Sequence, residues 1–219
     1  MASRTKLNDA ETLELYRVAL ENAQTQPKIA ETLAELGYDS VTISQGKSIL
    51  AQTRLAFEHN RSEDDETSEA YAVFSKKRTE LESIYVLHRK KAKIIFRKDP
   101  LIADKLAISG TMPRTQIAKM EVAKKFYNIA TTDTVIQSKL ARLKITLSEL
   151  SAAKTLITQV ETARSEYLRE KGESQNATKA KDIAFAKIDD WMSEFFAVAK
   201  IGLKDNPQLM ETLGKIVKS

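Results

Sequence analysis

The stretch Leu81-Glu82-Ser83-Ile84-Tyr85-Val86-Leu87-His88-Arg89-Lys90-Lys91-Ala92-Lys93-Ile94-Ile95-Phe96 decides the fold class. Leu81, Ile84, Tyr85, His88, Ala92, Ile95 and Phe96 recur at steps of three and four, which puts them on one face of an α-helix; a half-buried strand would alternate at steps of two. Ala70 and Lys77 continue the face upstream. Moved forward by 107 positions, the same register meets Ala177, Ala184, Ile188, Trp191, Met192, Phe195, Ala199, Gly202 and Leu203. So broad a stripe suits burial in a bundle rather than the narrower seam of a two-stranded coiled coil.

The same offset aligns landmarks along the rest of the chain. Leu33-Ala34-Glu35-Leu36 falls on Leu140-Ala141-Arg142-Leu143, and Lys47-Ser48-Ile49-Leu50-Ala51-Gln52 on Lys154-Thr155-Leu156-Ile157-Thr158-Gln159. Asp99-Pro100 falls on Asn206-Pro207. The expected architecture is therefore all-α: two tandem pseudo-repeats, 1–110 and 111–219, each an antiparallel four-helix bundle with a short extra terminal helix.

Local signals place the helices. Asn8 with Glu11 three residues on is a capping-box pattern opening a first helix at 9–24, with a counterpart at 114–130. A second helix follows Pro27, and Asp133 in the other copy; Gly37 suits a left-handed cap at its end. A third covers 42–60 and 147–169, where Thr146 and Glu149 repeat the capping box. Polar turns are expected at 61–65 and 170–175, then the longest helices at 66–98 and 176–204. Asp99-Pro100 and Asn206-Pro207 each pair an N-cap with a proline at the start of a short final helix.

Composition excludes several chemistries. The chain has no cysteine, which removes thiolate catalysis, cysteine-ligated zinc, iron–sulfur clusters and disulfides. A di-iron bundle needs Glu-x-x-His pairs, but Ala56 and Tyr85 stand three residues before His59 and His88. No phosphate-cradling glycine loop and no nucleophile motif occurs. The carboxylate pairs Asp64-Asp65 and Asp189-Asp190 read as solvated helix faces. No enzyme, metal or cofactor is expected. Nor does any stretch approach the roughly 20 apolar residues of a membrane span, and with no visible secretory signal a cytoplasmic location is expected.

Two features stand out against this packing pattern. Arg89, Lys90, Lys91, Lys93, Arg97 and Lys98 form a basic run without an acid, interleaved with Ile94, Ile95 and Phe96, in a chain of formal net charge +5. They are candidates for meeting a polyanion, either nucleic acid or an anionic surface. Acids at 63–69 and bases at 89–98 also match what a helix dipole favours. In the other copy Arg89, Lys90 and Lys91 become Phe196, Ala197 and Val198, so the run belongs to one copy only. His88, which becomes Phe195, and Trp191 are candidates for a pocket that holds an apolar ligand.

The apolar run Phe195, Phe196, Val198, Ile201 and Leu203 covers more than one helix face and points to packing on several sides. The leading expectation is a non-catalytic scaffold or protein-interaction protein whose partner is itself or another protein. Polyanion binding through 89–98 ranks second and an apolar-ligand bundle third. The segments Gly172-Glu173-Ser174-Gln175-Asn176-Ala177-Thr178 and Asp205-Asn206-Pro207-Gln208-Leu209-Met210-Glu211-Thr212-Leu213-Gly214 resemble stretches that recur in a family of uncharacterised bacterial all-helical proteins. That resemblance covers mainly the C-terminal third, implies a bacterial origin and carries over no functional residue.

Overall fold

A computed structural model describes residues 7–214. Eight helices follow one another: α1 (Asp9–Thr25), α2 (Pro27–Ala34), α3 (Ser40–Ile95), α4 (Pro100–Lys105), α5 (Gln116–Ala130), α6 (Thr134–Ala141), α7 (Leu147–Gly202) and α8 (Leu209–Thr212). The described residues contain no strand. None of their helices is long and apolar enough to cross a membrane.

Helix starts follow their capping chemistry. The Glu11 amide donates to the Asn8 side chain at 2.9 Å while the Asn8 amide donates to the Glu11 carboxylate at 2.8 Å. Thr146 and Glu149 make the same reciprocal pair. Asp99 caps α4 and Asp133 caps α6, each by accepting from amides of the first turn. Such caps satisfy donors that no helical carbonyl can reach. Asn206 does not cap α8, contrary to expectation: α8 begins at Leu209, and the Asn206 side chain accepts instead from the Lys28 ammonium at 3.1 Å.

The main correction concerns the two polar turns. α3 and α7 are continuous helices of 56 residues each, running through both 61–65 and 170–175. Each half of the chain thus supplies three principal helices and a short one, rather than four and a short one. Polarity alone does not end a helix. Neither segment contains proline, Gly172 costs only about 1 kcal/mol in a helix interior, and the Glu and Arg residues are good helix formers with i,i+3 partners such as Glu166–Arg169.

Boundaries recur at the sequence offset. Asp9 and Gln116, Pro27 and Thr134, and Ser40 and Leu147 begin corresponding helices 107 residues apart, and Ile95 and Gly202 end the long ones at the same spacing. The left-handed residues recur too: Gly37 (φ +88°) matches Lys144 (φ +56°), and Ala107 (φ +53°) matches Gly214 (φ +76°). After α2 the Tyr38 amide donates to Leu33 O and Gly37 N to Ala34 O; after α6 Ile145 N reaches Leu140 O and Lys144 N reaches Ala141 O. These are Schellman closures, each with an apolar residue buried just past the cap.

Two compact units result, and they cut across the expected halves 1–110 and 111–219. One comprises Met1–Asp65 with Gly172–Ser219, the other Glu66–Lys171. The division falls within the long helices: α3 gives 40–65 to the first unit and 66–95 to the second, and α7 gives 147–171 to the second and 172–202 to the first. In the first unit α1, α2 and α8 bury Leu13, Leu20, Ile29, Leu33 and Leu213 with Ile43 of α3 and with Ile188, Met192, Phe195 and Ala199 of α7. In the second, Phe126, Tyr127, Ile136 and Leu140 of α5 and α6 close on Leu81, Tyr85 and Ala92 of α3, on Phe96 just past its end, and on Leu150, Ala153, Ile157 and Val160 of α7. Most of the stripe read from the sequence is therefore core, with Ile84, Ile95, Ala70 and Lys77 half-buried at its edge. Within each unit α3 and α7 run antiparallel, paired by Thr53–Ala184 and Asn60–Thr178 in one and Lys77–Gln159 and Phe74–Tyr167 in the other.

Candidate interaction surfaces of the 66–171 unit

His88 is buried, 5 % exposed, and its Nδ1 lies 3.1 Å from the Tyr127 hydroxyl in a hydrogen bond that satisfies both groups. Burial lowers the imidazole pKa below its ordinary 6.5; the Glu149 carboxylate opposes that shift and the Lys91 ammonium adds to it. Burial likewise raises the Tyr127 hydroxyl. Glu149 is held below the usual carboxylate range chiefly because it accepts from the Thr146 amide. His88 is accordingly a neutral member of the core, as the helical stripe predicts. Trp191 belongs to the other compact unit, so the structure gathers the two pocket candidates into no common site.

Around His88 the α3–α7 seam opens into a groove of about 560 Å³ whose lining includes Ile84, Leu87, Glu149, Ala152, Leu156 and Gln159. A second opening of about 410 Å³ shares Gln159 and extends along the same two helices past Ala70, Val73, Lys77, Thr162, Ala163 and Glu166. Leu87 and Val73 stand 52 % and 50 % exposed along it. Large aliphatic residues left half in water beside small ones make a concave apolar strip.

At the equivalent place in the other unit, Trp191 replaces Ile84 and Gly46 replaces Ala153. The indole of Trp191 lies where a Cβ on residue 46 would sit, with ring carbons 2.5 to 2.7 Å from that point. It also stacks on Phe195 at 5.6 Å and meets Tyr38 edge-on. Glycine permits this approach because it has no side chain. Tyr38 is raised to about 12, first by burial and then by the neighbouring Glu194 carboxylate. Trp191 is thus a packing residue that fills its seam.

The basic run divides once its surroundings are known. Arg89 is 8 % exposed, and its Nη2 donates to the carbonyl oxygens of Ser109 and Gly110 at 3.2 and 3.1 Å; Lys93 also donates to Gly110. Both anchor the connection between α4 and α5. Lys90, Arg97 and Lys98 face solvent, and Lys91 is half-buried.

A cationic face of α6 adjoins the end of α3. The Lys139 ammonium lies 5.6 Å above the Phe96 ring and 3.9 Å from the Asp99 carboxylate, with Arg142 and Lys144 exposed beyond it. Sequence inspection of a single helix missed these three. The available signal was the offset comparison, which sets Lys139, Arg142 and Lys144 against Thr32, Glu35 and Gly37.

Charge separates between the units. Residues 66–171 hold 21 Lys and Arg against 12 Asp and Glu, a net of +9, while the remainder holds 14 against 18, a net of −4. The modest +5 of the whole chain conceals this.

No protein-family model, curated protein or solved structure matches the chain.

Proposed function

We propose that this is a non-catalytic helical interaction protein, built by duplication of a 107-residue unit, whose 66–171 unit receives an amphipathic helix of a partner protein. The observation that carries the proposal is the α3–α7 groove, open where Ile84 and Ala153 stand in place of Trp191 and Gly46. An apolar stripe at i, i+3 or i+4, and i+7 matches a seam between two helices, and its insertion would remove Leu87 and Val73 from water. Glu80, Glu149 and Glu166 line the groove against the single Lys77. That balance favours basic residues flanking the partner's apolar stripe.

A photo-crosslinking amino acid introduced at Leu87 or Val73 of the full chain tests this. The expected result is a discrete protein adduct that Ala163→Glu removes and that a crosslinker at exposed Ser138, away from the groove, does not form. Adducts of equal yield from all three positions, or none from the groove, would defeat the proposal.

A further inference from the structure

We infer that the end of the 66–171 unit formed by the α3 terminus, α4 and α6 is a docking surface for an anionic lipid bilayer. Three observations converge there. First, exposed cations alternate with exposed aliphatic side chains. On α3, Lys90 and Ile94 lie four residues apart and lead into Arg97 and Lys98, with Ile94 65 % exposed. On α6, Val135, Lys139 and Arg142 share one face by the same spacing, Val135 being 59 % exposed.

Second, the two stripes adjoin. Lys139 touches Phe96 and Asp99 at the end of α3, and Lys105 of α4 pairs with Asp133 at the start of α6 at 2.8 Å. Leu101, at 80 % the most exposed large apolar side chain among the described residues, sits on α4 directly after this junction. Third, the equivalent end of the other unit keeps only part of the pattern, with Ile201 and Lys204 in place of Ile94 and Arg97. Lys90, Lys98, Arg142 and Lys144 are replaced there by Ala197, Asp205, Glu35 and Gly37, and Leu101 and Val135 by Gln208 and Lys28. Equal helix geometry therefore does not require these side chains.

The composition selects lipid over nucleic acid. Binding to a phosphate backbone needs the cations but gains nothing from Leu101, Val135 and Ile94. Single-stranded nucleic acid is gripped by exposed aromatic rings, and Phe96, the ring at this end, is buried. An anionic membrane uses both classes at once: basic side chains sit among the headgroups while short aliphatic ones enter the acyl boundary. The surface is separate from the helix-binding groove and does not depend on it.

The test is co-sedimentation of the full chain with vesicles of phosphatidylcholine alone or with a third phosphatidylserine. Binding is expected to the anionic vesicles only and to weaken as salt rises. Arg97→Gln with Lys98→Gln should lower partitioning roughly 25-fold, about fivefold for each cation near the surface. Leu101→Ser with Val135→Ser should lower it about tenfold or more, because two aliphatic side chains are kept from the acyl boundary. Both pairs are exposed, so an unchanged circular dichroism melt confirms that folding is intact. Equal binding to neutral and anionic vesicles, or none, would overturn the inference. So would retained binding in the serine variant together with comparable affinity for a DNA duplex, which would mark a phosphate-backbone surface instead.

Discussion

The cores of the two units hold the same helices in the same register but divide their aromatic bulk differently. In the unit of 1–65 and 172–219 the long helix α7 carries it, with Phe195 fully buried and within 5.3 to 5.7 Å of Tyr38, Trp191 and Phe196, while α1 opposes it with Ala19 and Leu20. In the 66–171 unit the short helix α5 carries Phe126 and Tyr127 at the positions of Ala19 and Leu20, and α3 supplies Tyr85 and His88. The exchange shows that the backbone pattern specifies volume and period, not which helix brings the rings. It also shows that a polar pair can occupy a core position if each member satisfies the other.

The sharpest way to break the comparison is to truncate both members of one position. Phe195→Ala should cost about 3–5 kcal/mol, since its site is enclosed and cannot collapse. His88→Ala should cost less, about 1–3 kcal/mol, because its side chain is smaller and borders an open groove. Equal losses in urea titrations would mean that the two sites are packed alike and that the open groove does not relieve the His88 position.

Next in size is the seam. Gly46→Ala forces a methyl into the Trp191 indole and should cost about 1–3 kcal/mol by overpacking. The reciprocal Ala153→Gly should cost about 1–2 kcal/mol, the intrinsic cost of glycine in a helix together with the loss of one buried methyl, with no steric clash to add to it. A Gly46→Ala protein that melts like the wild type would remove the reason given for one seam being filled and the other open.

The polar pair sharpens the comparison through pH. His88 has a folded pKa below its ordinary 6.5, so between the two values the unfolded chain binds more protons and stability rises with pH. The contribution is complete above about 6.5 and is lost as pH falls through the lower folded value. His88→Phe should remove that component of the pH dependence and, by stranding the Tyr127 hydroxyl, cost about 1–3 kcal/mol at pH 7. Adding Tyr127→Phe should recover part of the loss in a double-mutant cycle. A pH profile unchanged by His88→Phe would show that this ring does not supply the slope.

Helix content, the capping boxes and most of the buried stripe were legible in the sequence because each depends on residues within a few positions of one another. The continuity of α3 and α7 was not, since 61–65 and 170–175 are polar on every side and polarity is common to turns and to solvated helix. The compact units were missed for the same reason: a break expected at 61–65 confines each long helix to its own half. Arg89 and Lys93 read as free cations because the Ser109 and Gly110 carbonyls they bind lie in a different segment. Conversely, Lys139 and Arg142 join the basic surface only through the contact of Lys139 with Phe96 and Asp99.

The smallest expected effect concerns the left-handed caps, where the two units exchange glycine for another residue. Gly37 and Gly214 occupy φ > 0 without a steric penalty, whereas Lys144 and Ala107 do so with a Cβ. Lys144→Gly and Ala107→Gly should each stabilise by about 0.5–1 kcal/mol, the relieved left-handed strain being partly offset by the greater freedom of glycine in the unfolded chain. Gly37→Ala should destabilise by a similar amount. The pair also separates fold from surface. Lys144→Gly removes a cation from the lipid-facing end and Ala107→Gly removes none, so both should raise the melting temperature while only the first weakens sedimentation with anionic vesicles. If the two variants behave alike in both measurements, Lys144 serves the turn and not the surface, and the basic end begins at Arg142.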